Sequence, residues 1–190
     1  MLDPFLKGDN SMIYMFLANG MEEIEALCPL DIIRRAGLDI TTVGIGGREI
    51  TGAHNITVKA DIADTELKDV SADLIFLPGG MPGTLNLAAS DTVKNAIETA
   101  LKNDSYIAAI CAAPSILGDM GILDGKEAIC YPGFEGRLTG AKISDKRVVL
   151  DGKILTAAGM GVALDMGLAI VEIFCGKNAA DDIRHAVIAD

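Results

Sequence analysis

From residue 12 onward, short unbroken apolar runs alternate with stretches whose apolar positions recur at helical spacing. Residues 12–18 (MIYMFLA) are apolar throughout, as in a strand covered on both faces. Leu30, Ile32, Ile33 and Ala36 share one helical face, and Gly37 ends that helix. Asp39–Gly44 (DITTVG) predicts a second strand. Residues 49–59 carry alternating and β-branched positions around Gly52, which predicts a hairpin excursion. Leu74–Leu77 (LIFL) is a third core strand, stopped by Pro78-Gly79-Gly80. Asp91 is placed to cap a helix in which Val93, Ala96, Ile97, Ala100 and Leu101 repeat at i, i+3, i+4, i+7 and i+8. Tyr106–Ile110 (YIAAI) is a strand running straight into Cys111, and residues 112–120 read as a helix with Pro114 in its first turn. Shorter strands at 128–131 and 148–150, a last core strand at 153–156, and closing helices at 162–174 and 179–189 complete the pattern. There is no internal repeat, low-complexity tract or linker.

Alternating strands and helices with doubly buried strands predict an α/β fold, a doubly wound parallel sheet with helices on both faces. Right-handed crossovers leave a core strand order of 2-1-3-4-5, with the excursions added at the edges. Ligands in such sheets bind beyond the carboxyl ends of the strands, where the strand order reverses. Three loops are thereby brought together: residues 19–25, 78–83 and 111–114.

Composition narrows the function classes. With 190 residues, half of them apolar and 23% charged, the chain is a globular polymer of one-domain size. The expected division is a flexible N-terminal extension over residues 1–11, polar and turn-prone, and a single domain over 12–190. The net charge of −11 opposes a nucleic-acid surface, which needs clustered Lys and Arg. No apolar run reaches the ~18 residues of a membrane helix, and the opening residues lack the basic-then-apolar order of a secretory leader. Cys28, Cys111, Cys130 and Cys175 are widely spaced, without CxxC or Cys/His clustering. This argues for reduced thiols in a cytoplasmic protein, with no metal and no cofactor.

Cys111 is the residue best placed for chemistry. A strand-to-helix junction lifts its side chain above the sheet, and a helix starting beyond it favours a thiolate below ~8.5. Gly79 and Gly80 end the neighbouring strand, so the amides of Gly80 and Ala112 can form an oxyanion pocket. Glu25 follows the first strand, where a carboxyl protonated by burial would hydrogen-bond the thiol. Glu22 and Glu23 read as acids complementing a helix N-terminus. His54 lies in the hairpin excursion and His185 in the last helix, and sequence places neither near Cys111. The remaining cysteines read as packing residues. The GIGG stretch at 44–47 lacks the spacing of a dinucleotide loop.

The segments GMEEIEALCPLDIIRRAGLDITTVG, LIFLPGGMPGTLNL, AAICAAPSIL and ILTAAGMGVALDMGLAIVEIFCGK together resemble the DJ-1/ThiJ/PfpI superfamily, nearest its DJ-1/YajL branch. The resemblance extends from residue 12 to the C-terminus and implies a flavodoxin-like fold. It also implies a reactive cysteine at Cys111, a protonated glutamate partner at Glu25, and a backbone pocket at Gly80 and Ala112. Tyr131, Gly79 and His54 are auxiliary candidates. A homodimer is implied, packed through the first strand and helix, with Arg34, Arg35 and the hairpin of His54 near the partner.

Two positions depart from that pattern. Tyr131 stands where relatives often have histidine, and Ala158-Gly159-Met160-Gly161 stands where they show an arginine before Gly-Pro-Gly. A phenol ionises near ~10 in water and is a poor base at neutral pH, so a histidine-dependent step has no obvious donor here. The function implied is action on small reactive carbonyls or their protein adducts (glyoxalase or deglycase type), or a role in oxidative-stress response. A non-catalytic redox sensor or chaperone using a cysteine sulfinate is the alternative. A peptidase or amidotransferase activity ranks below both, since Ala112 stands where the peptidases have histidine and the downstream His-x-Glu of the amidotransferases is absent; a thiamine-linked activity ranks as low, no residue specifying such a substrate.

Overall fold

Residues 11–189 are described by a computed structural model. Apart from Ser11, the expected N-terminal extension therefore lies outside the described residues. In chain order the first half comprises β1 (Met12–Leu17), α1 (Glu23–Arg35), β2 (Asp39–Gly44), β3 (Glu49–Thr51), β4 (Thr57–Lys59), β5 (Ile62–Ala63) and β6 (Leu74–Leu77). The centre holds α2 (Gly83–Ala89), α3 (Asp91–Lys102), β7 (Tyr106–Ile110), α4 (Pro114–Asp119) and β8 (Glu127–Ala128). The chain closes with β9 (Lys142–Ile143), β10 (Val148–Asp151), β11 (Ile154–Ala157), α5 (Ala163–Cys175) and α6 (Lys177–Ala186).

The main sheet has seven strands in the order β10-β11-β7-β6-β1-β2-β5. Its five core strands follow the expected order, and all of their mutual pairings are parallel. β5 extends one edge in parallel, and β10 closes the other antiparallel to β11. β3 and β4 form the expected antiparallel hairpin outside this sheet. The architecture is a flavodoxin-like α/β fold.

Side-chain alternation divides the core between the two faces of the sheet. Ile13, Met15 and Leu17 of β1 pack with Ile32 and Ile33 of α1 and with Met166 and Ile170 of α5. Phe16 points the other way, to Ile75, Leu77, Val93, Ile97 and Ile107. Every one of these side chains is essentially withdrawn from water, each contributing roughly 1.5–3 kcal/mol.

Helix α1 starts at Glu23, well before the apolar periodicity that marks it in the sequence. Pro29 cannot donate to the carbonyl of Glu25, yet the helix runs through it. Packing explains the persistence, because Gly167 of α5 lets Pro29 and Ile32 approach its backbone directly. Ser90, rather than Asp91, caps α3, its side chain accepting from the Val93 N–H at 3.4 Å. α2 is an element that the Gly- and Pro-rich sequence before it conceals. The segment expected as a strand at 128–131 pairs only over Glu127–Ala128, and its continuation instead bends toward Cys111.

Candidate functional site

The carboxyl ends of β1, β6, β7 and β11 converge on one sulfur. Cys111 follows β7 directly and adopts φ 64°, a left-handed conformation uncommon for a residue with a Cβ. Such a backbone costs roughly 1–3 kcal/mol and persists only where neighbours enforce it. Here the Cys111 N–H donates to the Ala157 carbonyl at 2.9 Å, and the Cys111 carbonyl accepts the Tyr131 N–H at 2.8 Å. The turn projects Sγ above the sheet, half-buried, where the amides of Gly80 and Ala112 donate to it.

Glu25 meets the sulfur from the first turns of α1. It is only 1% exposed, and its Oε2 accepts the Gly79 N–H at 3.1 Å. The Met160 amide and the Cys111 thiol also donate to this carboxylate. Burial raises Glu25 to about 7, with the Glu22 charge adding to the rise and those three hydrogen bonds opposing it. A carboxyl protonated near neutrality was the expectation for this position.

The thiol departs from expectation. Burial pushes Cys111 up to about 12, reinforced by the charge and hydrogen bond of Glu25, against the Gly80 and Ala112 amides. The helix that was to favour a thiolate begins only at Pro114 and ends at Asp119. Its dipole is short and set back from the sulfur, so desolvation prevails.

Around this pair lies a cleft of about 410 Å³, lined by Glu22, Glu25, His54, Gly80, Met81, Cys111, Ala112, Tyr131, Phe134 and Met160. The structure thus gathers Cys111, Glu25, Gly80, Ala112, Tyr131 and His54 in one place. Gly79 sits beneath them: a Cβ there would fall 2.5 Å from Glu25 Oε2 and 2.6 Å from Cys111 Cβ. Tyr131 is 52% exposed on the rim, beside Gly159.

His54 comes to the cleft although nothing in the sequence places it there. Glu23 draws it in and is itself more than a solvated helix acid. Buried to 3% exposure, Glu23 accepts the His54 N–H through Oε1 at 2.8 Å and meets His54 Nδ1 through Oε2 at 2.9 Å. The Ile56 N–H reaches Oε1 as well, at 3.4 Å. Burial alone would raise the Glu23 carboxyl, but the His54 side chain and the surrounding amides hold it below its ordinary value. Glu22, Glu23 and His54 have donor atoms within 4.8 Å of one another, the spacing of a metal-binding group. Both oxygens of Glu23 are already engaged in fastening the hairpin.

Other candidates lie elsewhere. All four cysteines are free thiols; Cys130 is buried against the β7–α4 side, while Cys28 and Cys175 pack on the α5 side. His185 is carried by α6. In the GIGG turn the Gly46 N–H donates to the Asp64 carboxylate at 3.3 Å, an acidic neighbour unsuited to a phosphate. Arg34 and Arg35 pair within their own chain, with Asp61 and Asp31, each at 2.6 Å. Met160 is a participant that sequence reasoning missed, and Glu23 one that it read only as an acid complementing a helix N-terminus. The position of Met160 after the last core strand was the available signal, whereas nothing local marked Glu23.

Comparison with known proteins gives the family. The profile of the DJ-1/PfpI family matches residues 11–173. Protein DJ-1 homolog A of Arabidopsis thaliana is 34% identical over 176 residues, covering 90% of this chain. The chain spans 45% of that relative's length. The glutathione-independent glyoxalase DJR-1.2 of Caenorhabditis elegans is 28% identical over 180 residues, covering 94% of this chain and 96% of the relative. The solved structure of oxidized DJ-1 from Toxoplasma gondii superposes with a TM-score of 0.90 at 29% identity, covering 94% of this chain and 98% of that one. With its profile matched over residues 11–173 and its architecture shared with solved DJ-1 structures, the chain belongs to the DJ-1/PfpI family.

Proposed function

We propose that the protein acts on small reactive carbonyls of the 2-oxoaldehyde class, or on their adducts with protein amines, through Cys111. The carrying observation is the buried Glu25–Cys111 pair beneath two backbone donors at the floor of an open cleft. Between about 7 and about 12 this pair holds a single proton. When that proton rests on Glu25, Sγ is a thiolate able to attack an aldehyde carbon. The new oxyanion accepts from the Gly80 and Ala112 amides, and Glu25 supplies its proton. The kinship with a relative named as a glyoxalase supports the reading.

Incubation with methylglyoxal, followed by chiral assay of lactate, tests it. Lactate formation should be lost in Cys111→Ser, and activity unchanged in that variant would overturn the assignment. A second reading is favoured by the same donors. Gly80 N–H, Ala112 N–H and a protonated Glu25 would also hold the oxygens of a sulfinate, making Cys111 a redox sensor. Mild peroxide should then add two oxygens at Cys111 alone, as read by intact mass and peptide mapping.

A cytoplasmic homodimer belongs to the same proposal. Ile24 of α1 and Ile56 of the hairpin are 48% and 54% exposed, apolar side chains that a second copy would cover. No helix among the described residues is long and apolar enough to cross a membrane.

A further inference from the structure

We propose that His54 is the proton-transfer group of the Cys111 cleft, presented by the β3–β4 hairpin and oriented by Glu23. The inference rests on the carbonyl-addition reading above. His54 lines the same cleft as Cys111 and Glu25, on a loop outside the main sheet. Its Nδ1 lies 2.9 Å from Glu23 Oε2, and its backbone N–H is fixed to Oε1 of the same carboxylate. A carboxylate oxygen can only accept, so Nδ1 carries the proton and Nε2 of the neutral ring is left with its lone pair. The fixture is tight: a Cβ at Gly52 would stand 2.3 Å from Glu23 Oε1. The side chain is nevertheless 67% exposed, so Nε2 is accessible to a molecule in the cleft.

The charged groups beside the imidazole are Glu22 and Glu23 from the start of α1, with Nδ1 3.6 Å from Glu22 Oε2, and Glu25, Cys111 and Tyr131 line the same cleft. Glu23 first, then the charges of Glu22 and Glu23, raise His54 above 6.5, so the ring is a stronger base whose Nε2 lone pair is free only once pH exceeds that raised value. Glu25 is committed to the sulfur beneath the substrate. A 2-oxoaldehyde needs a second proton shuttle at its carbon atoms.

The balanced sequence is short. Addition forms the C–S bond, and the aldehyde oxygen takes the proton held by Glu25, giving a hemithioacetal. Nε2 removes the hydrogen from that carbon as a proton, leaving an enediolate on the neighbouring carbonyl oxygen. The hemithioacetal hydroxyl passes its proton to that oxygen by way of the Glu25 carboxylate, and protonated Nε2 returns its own to the adjacent carbon, giving a 2-hydroxy thioester. Water then cleaves the C–S bond and the thiol regains its proton. One substrate carbon is oxidised as its neighbour is reduced, so no external oxidant enters.

The test compares wild type, Cys111→Ser and His54→Ala with methylglyoxal as substrate, with and without added imidazole. His54→Ala should lose about 100-fold in kcat, with KM little changed, and should recover activity as imidazole is added. Its rate of Cys111 alkylation should match wild type, and its melting temperature should fall only by the loss of the Glu23–His54 contact. Cys111-dependent turnover that survives His54→Ala undiminished would overturn this inference and leave the carbonyl reading intact. So would a loss that imidazole does not restore in a folded, alkylatable variant. Absence of lactate from wild type would overturn both.

Discussion

Glu25 and Cys111 share a hydrogen bond at the sheet's carboxyl edge; the carboxylate helps push the thiol's titration up, while the thiol's hydrogen bond opposes the rise that burial imposes on the carboxyl. Their backbone supports come from separate elements: Gly79 and Met160 hold the carboxyl, Gly80 and Ala112 the sulfur. The cleft is therefore organised around a proton position rather than a resident thiolate.

The clearest consequence concerns Glu25→Gln. Of the causes that raise Cys111 to about 12, burial is the largest and survives the substitution, but the carboxylate charge is removed. The thiol midpoint should fall below its wild-type value and stay above that of a free cysteine. Ultraviolet thiolate absorbance, with Cys111→Ser as the blank, measures it. An unchanged or higher midpoint would contradict the coupling.

The same pair makes stability depend on pH in an unusual sense. Glu25 titrates at 4.5 when unfolded and at about 7 when folded, so its contribution is complete below 4.5 and lost as pH rises through 7. A rise of that size corresponds to about 3 kcal/mol. Urea denaturation at pH 5 and pH 8 should show wild type losing stability from this group at the higher pH. Glu25→Gln, neutral throughout, should show a smaller loss. An equal pH dependence in both proteins would contradict a buried, proton-holding Glu25.

The framework was legible in the sequence because its strands obey a single rule. Residues 74–77 and 106–110 are apolar on both faces and bounded by turn residues, and they pair as neighbours in the sheet. Cys111 was legible for the same reason, since the end of a core strand can be located from periodicity. Its titration was not, because burial depends on what the fold brings over the sulfur. The Glu23–His54 contact spans 31 positions and the Gly79–Glu25 contact 54, distances at which no local pattern operates. The start of α1 was hidden too, since Glu23 and Glu25 are charged in sequence yet buried in the fold.

Gly79→Ala tests how closely the carboxyl is cradled. The added methyl would sit 2.5 Å from Glu25 Oε2 and 2.7 Å from the Ile110 carbonyl oxygen, with rigid backbone on one side. Overpacking of this kind costs ~1–3 kcal/mol, and the carboxyl is the part free to swing away. Chemical denaturation should show a loss within that range. The variant's Cys111 should also lose part of its upward shift, read by the same thiolate titration. A stable variant with an unaltered midpoint would show that the cradle tolerates more than its geometry suggests.

Gly167→Ala reaches the site from a distance. α1 carries both Glu23 and Glu25, and its face rests on α5 where Gly167 leaves no side chain between them. A Cβ there would stand 3.0 Å from Ile32 Cβ and 3.0 Å from Pro29 Cα. Removing a helix-interior glycine favours the helix by ~0.5–1 kcal/mol, whereas separating two packed helices costs ~1–3 kcal/mol. The steric cost is the larger because Pro29 belongs to a ring-stiffened turn that cannot yield by changing rotamer. A net destabilisation of about 1 kcal/mol follows, measurable by thermal or urea unfolding. Because α1 moves as a unit, the Glu25 carboxyl should retreat from Cys111 and the pH dependence of Cys111 alkylation should change with it. A variant more stable than wild type, with alkylation unaltered, would show that α1 is positioned by the loops at its ends and not by its packing on α5.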